Sequence, residues 1–141
     1  MTEKLLEMLR RHEGVKSHIY RCSAGFWTIG AGRNVDPNGG IGLSDDEINY
    51  LLENDIKRCK QELISLSWFI DLDSVRQDAI VNLCFNLGLT RLMGFKNAMA
   101  AMAEGDYERA ADEFYDSRWA KQVKSRADEV CEMIRTGRYP E

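Results

Sequence analysis

Three side chains in the amino-terminal part of the chain could share one reaction. Glu13, Cys22 and Thr28 bring a carboxyl, a thiol and a hydroxyl to the stretch "HEGVKSHIYRCSAGFWTIG". A carboxyl can protonate a leaving group while a second polar group activates or positions water, and together these make an acid–base hydrolytic site. Leu5, Leu6, Met8 and Leu9 recur at helical spacing, so residues 3–12 are predicted as a helix ended by Gly14, with Glu13 at its tip. The negative end of the helix dipole disfavours an exposed ionised carboxylate there by ~0.3–1 kcal/mol, which favours the protonated state a general acid needs. On position alone a solvated surface glutamate is the competing reading. A free thiol has an ordinary pKa near ~8.5, so Cys22 would be a minority thiolate at neutral pH unless its surroundings stabilise the anion.

The elements that must position these groups are short. "SHIYRC" and "FWTIGA" are aromatic and β-branched, which suits strands, and Ser23-Ala24-Gly25 between them has the form of a three-residue hairpin turn. Phe26, Thr28 and Gly30 share one face of the second strand, Trp27 and Ile29 the other. A Thr28 face turned to a cleft would put Trp27 and Ile29 in the core of this lobe. "NVDPNGGIG" is loop or a weak third strand. "SDDE" is a capping box with Ser44 at the N-cap and Glu47 three residues on. It opens a helix over about 44–65 with the stripe Ile48, Leu51, Leu52, Ile56, Cys59 and Leu63. The remainder reads as helices. Val75, Ala79, Leu83, Cys84 and Leu87 form one face ending at Gly88. "FKNAMAAMAEG" stops at Gly105, "DYERAADEFYDS" follows, and "SRADEVCEMIRTG" runs from near Ser125 to Gly137.

The expected class is α+β, mostly α, as one domain over residues 1–141. A small antiparallel β lobe would occupy about 15–43 and a connecting helix about 44–65. A helical lobe would occupy about 67–141, together with the N-terminal helix. Two lobes joined by one helix would leave a cleft, and clefts are where substrates bind.

Composition narrows the classes. The 141 residues are 44% apolar and 30% charged, the balance of an ordinary soluble protein. A net charge of −4, a pI near 5.3 and the lack of an aromatic–basic platform argue against a nucleic-acid binder. The four cysteines, Cys22, Cys59, Cys84 and Cys131, are widely spaced, with no Cys-x-x-Cys and no paired histidines, so no metal is expected. Cys59, Cys84 and Cys131 fall in apolar helical registers and read as small buried hydrophobes, whereas Cys22 stands at a strand end. No disulfide framework is needed at this length, so a reducing compartment fits at least as well as an oxidising one. "MTEKLLEMLR" lacks an apolar run long enough for an export signal or a membrane span, so neither is expected.

"HEG" leading into "IYRCSAGFWTIGAGRN" resembles the lysozymes of T-even-like phages, glycoside hydrolase family 24. Their signature is Glu, eight residues, Asp or Cys, five residues, Thr, and Glu13, Cys22 and Thr28 have that spacing. The likeness continues through "FNLG" at 85–88, "GF" at 94–95, "SRW" at 117–119 and "RTG" at 135–137. It covers nearly the whole chain, with the family's middle segment shortened around 34–43.

The resemblance implies a lysozyme-like two-lobe fold and hydrolysis, without a cofactor, of the β-1,4 bond between N-acetylmuramic acid and N-acetylglucosamine in peptidoglycan. Glu13 would be the general acid and Thr28 would hold the attacking water. Cys22 stands where most relatives have aspartate. As a thiolate it would stabilise the oxocarbenium-like transition state and take a proton from water, the role favoured here. As a nucleophile it would give a covalent intermediate and retention; as a sulfinate it would imitate a carboxylate. An inert Cys22 in an inactive homologue is the alternative. An inverting site needs the second group ~6.5–9.5 Å from the acid.

Arg126 resembles the family arginine that pairs with the catalytic glutamate. Gly30 would let a sugar approach the backbone. Phe85 would stack on a sugar face or sit as a core aromatic, and Trp119 reads as core. Arg33 stands where the family often has histidine, so that residue's ion pair would survive only if Arg33 finds an acid. Ala98 and Glu113 replace small polar residues and inherit no binding role. The implied protein is a monomeric endolysin that accumulates in the cytoplasm of a bacterial host and reaches the wall through a lesion made by a separate holin-type protein. Its rivals are a lytic transglycosylase, which needs one acid only, and a catalytically inactive wall-binding protein. Thr28 at the family spacing argues against the first.

Overall fold

In the computed structural model, which describes residues 3–141, the first helix α1 runs Glu3–Glu13. It ends where Gly14 turns to φ +72° and donates its N–H to Arg10 O at 2.9 Å. Strands β1 (Lys16–Arg21), β2 (Trp27–Gly30) and β3 (Arg33–Asn34) make an antiparallel sheet in that order. The weak third strand is real but only two residues long.

The predicted hairpin turn forms. Gly25 N donates to Cys22 O at 2.8 Å, Cys22 N donates to Phe26 O at 2.9 Å, and Gly25 takes φ +85°. This is a three-residue loop closed by a left-handed glycine. Tyr20 pairs with Thr28 and Arg21 with Trp27, while Lys16 pairs with Gly30 beyond a bulge. On its other edge β2 pairs Thr28 with Asn34 and Ile29 with Arg33.

The loop after β3 is ordered by one carboxylate. Asp36, 7% exposed, accepts N–H bonds from Trp27 and Asn38, each at 2.9 Å. Its own N–H goes to Asn34 Oδ1 at 3.0 Å, and its carbonyl accepts from Gly40 N at 2.9 Å. A side chain at position 40 would not fit, since a Cβ there would lie 2.5 Å from Asn34 Oδ1.

Helix α2 (Asp45–Leu63) starts at the expected capping box. Ser44 N donates to Glu47 Oε1 at 2.9 Å and Glu47 N to Ser44 Oγ at 3.2 Å. Only the end of its apolar stripe is buried. Cys59 and Leu63 are covered and Ile56 packs partly, but Ile48, Leu51 and Leu52 are exposed. The chain divides into two compact units, one through Leu51 and one from Leu52, and the apolar core of the second begins only at Cys59.

The second unit is helical throughout: α3 (Ser67–Ile70), α4 (Ser74–Leu87), α5 (Leu89–Met93), α6 (Lys96–Glu104), α7 (Tyr107–Tyr115), α8 (Arg118–Val123) and α9 (Ser125–Thr136). Asp73, Asp106 and Ser117 cap α4, α7 and α8 by accepting backbone N–H bonds, and left-handed Gly105 and Gly137 close α6 and α9. The short α3, α5 and α8 have no counterpart in the sequence reading, because four to six residues hold too little periodicity to register. The core gathers Leu63, Ile80, Leu83, Leu92, Met102, Phe114 and Ile134. Trp119 is 3% exposed, as expected of a core residue, and its Nε1 donates to Asn86 Oδ1 at 2.8 Å. Cys59, Cys84 and Cys131 are buried and Cys22 is half-buried. The expected class, mostly α with a small antiparallel sheet, holds. No helix among the described residues is long and apolar enough to cross a membrane.

Candidate active site

Cys22 follows the last residue of β1, and the hairpin turn curls back over its side chain. The N–H of Phe26, then that of Ala24, hold its thiol below its usual range. Partial burial opposes them, and the Thr28 hydroxyl and the Gly25 N–H add to them. A turn that aims several amides at one point favours an anion without a cation present. The same turn that joins the strands therefore makes a thiolate more accessible.

Thr28 is 3% exposed and its Oγ1 donates to Phe26 O at 2.9 Å. A hydroxyl has one proton, so Phe26 O and the Cys22 sulfur compete for it. Ionising Cys22 favours the sulfur, because a charged acceptor makes the stronger bond. The expected facing fails in one respect: Thr28 itself is covered although Phe26 on its face is exposed, while Trp27 and Ile29 are half-buried instead of core. A sheet this small cannot bury both faces. Trp27 instead carries the Arg21 guanidinium 4.1 Å above its ring and gives its N–H to Asp36.

Glu13 is exposed at the end of α1. Its carboxyl lies against Gly32, where a Cβ would come within 2.7 Å of Oε2. Gly30 and Gly32, at φ +70° and +82°, flank the turn between β2 and β3. Glu13 thus meets the far end of β2 from the Cys22 turn. Two residues of strand, ~7 Å at ~3.4 Å each, separate Thr28 from Gly30.

Arg33 finds its acid. Its Nη1 lies 2.6 Å from Glu47 Oε1 and 3.0 Å from Gly42 O. That arginine, with the Ser44 N–H, holds the Glu47 carboxyl down to about 2. Sequence reasoning missed Asp36, whose carboxylate is kept low chiefly by the Trp27 and Asn38 amides. The alternating Asn34, Asp36 and Asn38 next to proline and glycine were its signal, since Asx side chains bond backbone amides two residues on.

Phe85 and Arg126 lie in the second unit. Phe85 is 44% exposed and therefore no core aromatic. Arg126 Nε donates to Asn82 Oδ1 at 2.9 Å. The two side chains line one cavity of about 500 Å³ with Ile56, Val81, Asn82 and Tyr139 among its other walls. Of the residues singled out from sequence, Cys22 and Thr28 come together in the first unit, with Glu13 and Gly30 at the opposite end of the same strand. Phe85 and Arg126 come together in the second.

The chain is similar in sequence to known proteins. The family model described as phage lysozyme matches residues 10–136. "Probable T4-type lysozyme 1" of Dictyostelium discoideum is 25% identical, over 97% of this chain and 96% of that protein. An endolysin of Acyrthosiphon pisum secondary endosymbiont phage 1 is 31% identical, over 86% of this chain and 80% of its own length. The pre-baseplate central spike protein Gp5 of Enterobacteria phage T4 is 29% identical over 94% of this chain, which corresponds to only 28% of that larger protein. A match that takes in Glu13, the hairpin and all but the end of the helical unit has one consequence: the chain belongs to the phage lysozyme family.

Proposed function

We propose that this chain is a muramidase of the endolysin type, cleaving the β-1,4 bond between N-acetylmuramic acid and N-acetylglucosamine in bacterial peptidoglycan. The observation that carries the reading is the arrangement along β2. A thiol whose ionisation the turn amides ease sits with a hydroxyl at one end, and a carboxyl at the other. Family membership supports the substrate class, and endolysin is the printed name of one relative.

In the proposed reaction the Glu13 carboxyl protonates the glycosidic oxygen as the bond to the anomeric carbon breaks. Positive charge grows on the sugar, and the Cys22 thiolate stabilises it. Water attacks the opposite face of the ring and gives its proton to Cys22, and Thr28 orients that water through its hydroxyl. The anomeric configuration inverts. Glu13 is left as carboxylate and Cys22 as thiol, and proton exchange with solvent resets both. Gly30 leaves the backbone open to the sugar, and the exposed ring of Phe85 offers a stacking face. A separate holin-type protein would give the enzyme access to the wall from the host cytoplasm.

A second reading follows from the thiol itself. A lytic transglycosylase needs one acid, and position 22 carries no carboxylate. NMR analysis of the products of reduced protein on purified peptidoglycan separates the cases. Inverted, reducing muramic acid ends support the proposal. Retained configuration would make Cys22 a nucleophile, and 1,6-anhydro ends would make the protein a transglycosylase. Cys22→Ser should cut the rate heavily, and full activity in that variant would show the sulfur to be a bystander.

A further inference from the structure

The most exposed large apolar side chain among the described residues is Ile41, at 78%. It stands in the loop between β3 and α2, and that loop holds it still. Gly40 N donates to Asp36 O at 2.9 Å and Gly42 N to Asn34 O at 3.2 Å, one bond on each side of Ile41. Arg33 Nη1 donates to Gly42 O at 3.0 Å and is itself fixed by Glu47. An isoleucine has little χ1 freedom. Held in water on a pinned backbone, it is an apolar contact prepared before any ligand arrives.

Ile41 lines a cavity of about 450 Å³ with Ala31, Gly32, Arg33 and Asn34. Gly32 is also the residue against which the Glu13 carboxyl lies. No loop or turn hydrogen bond closes on the backbone of Ala31 or Gly32 among the described residues. Asn34 accepts from Asp36 N through Oδ1 at 3.0 Å, which leaves its side-chain NH₂ to donate. Arg33 is committed to Glu47 and Gly42. The cavity therefore offers one apolar wall, amide donors and acceptors, and no charge without its counter-charge.

We propose that Ile41 is a specificity-determining residue that recognises the N-acetyl group of the sugar seated beside Glu13; this rests on the muramidase reading. An acetamide carries a methyl, an N–H and a carbonyl in one small plane. The methyl packs on Ile41, the carbonyl accepts from the Asn34 side-chain amide, and the N–H donates to a carbonyl of the β2–β3 turn. A deacetylated sugar presents an ammonium instead. It has no methyl for Ile41, and it loses water without gaining a counter-charge. The cavity thus prefers N-acetylated glycan.

The test has two arms. In the first, the Ile41 methyl signals of the full chain carrying Glu13→Gln are followed by NMR. The probes are a tetrasaccharide of alternating N-acetylglucosamine and N-acetylmuramic acid, and its N-deacetylated form. The Ile41 methyls should shift with the acetylated probe and stay still with the other. In the second arm, wild type and Ile41→Ala are assayed on purified peptidoglycan before and after chemical N-deacetylation. Ile41→Ala should raise KM on the acetylated wall by ~3–10-fold, the scale of one or two methyl groups returned to water, with kcat and the urea midpoint unchanged. Its preference for acetylated wall should fall by the same factor, and Ile41→Leu should restore most of it. Ile41 methyls that stay still with both probes, or move equally with both, would overturn the proposal. So would an Ile41→Ala variant with wild-type KM and preference. If wild type still cleaves the wall, those results leave the muramidase reading standing. A wild type that cuts nothing while its Ile41 methyls respond to the acetylated probe alone would overturn that reading and support the acetyl contact.

Discussion

The two compact units are held together by different physics. Every buried apolar residue among those described lies at or beyond Cys59, and the helical unit is organised around side chains such as Leu83 and Phe114 that water does not reach. In the unit through Leu51 the buried residues are Thr28 and Asp36, both polar. Hydrogen bonds, tight turns and one ion pair set its shape. A packed apolar core tolerates little geometric freedom but offers no chemistry. A polar lattice can aim amides and hydroxyls at a chosen atom, as it does at Cys22. The lesson is a division of labour: the region with the thinnest packing carries the groups proposed to react.

That contrast can be broken by substitution. The largest effect should come from Glu13→Gln, which removes the proposed general acid. A loss of ~10²–10⁴-fold in peptidoglycan cleavage is expected, with the denaturation midpoint unchanged. Residual activity near wild type would remove Glu13 from the mechanism.

Leu83→Ala should do the opposite. A fully buried leucine truncated to alanine costs ~2–5 kcal/mol, read as a lowered urea midpoint. A change below ~1 kcal/mol would mean that this core is not close-packed.

Gly32→Ala should touch both readouts. Its backbone is left-handed at φ +82°, which costs an alanine ~1–2 kcal/mol. The added methyl would also meet Glu13 Oε2 at 2.7 Å and displace the carboxyl, so cleavage should fall although the acid is still present. Wild-type kinetics would show that Glu13 is not positioned by this turn.

Cys22→Asp should retain much activity and move its pH profile. Wild-type activity should fall as pH drops through the ionisation of Cys22, which the turn amides place below the ordinary thiol range. An aspartate ionises near ~4, so the acid limb should shift several units lower. An unmoved limb would exclude Cys22 as the titrating group.

The smallest effect is on the Arg33–Glu47 pair. The carboxyl of Glu47 is lowered from 4.5 to about 2. Its stabilisation is therefore complete above the unfolded value and is lost as pH falls through the folded one. Glu47→Gln should flatten that part of the stability curve, measured by thermal melts between pH 2 and pH 5. An identical curve would mean that the pair adds nothing at this exposed site.

Much of this was legible from local chemistry. The capping box at Ser44 and Glu47, the Ser23-Ala24-Gly25 turn and the glycine stops at 105 and 137 are encoded within a few residues of where they act. The spacing of Glu13, Cys22 and Thr28 was equally plain. Asp36 was not, because its partners Trp27 and Asn38 are named only once β2 and the loop after β3 are folded together. The exposure of Ile48, Leu51 and Leu52 was hidden too. A helical stripe states which residues could be buried and says nothing of whether a partner arrives.

The sequence by itself determined the elements, their caps and the family signature, because each of these depends on propensities and spacings local to the chain. Tertiary structure alone decided that Thr28 is covered while Phe85 is open, and that the Cys22 thiol sits among amides. Those outcomes depend on which surfaces meet after the chain turns back on itself. Burial and electrostatic environment belong to that meeting, and no single segment contains them.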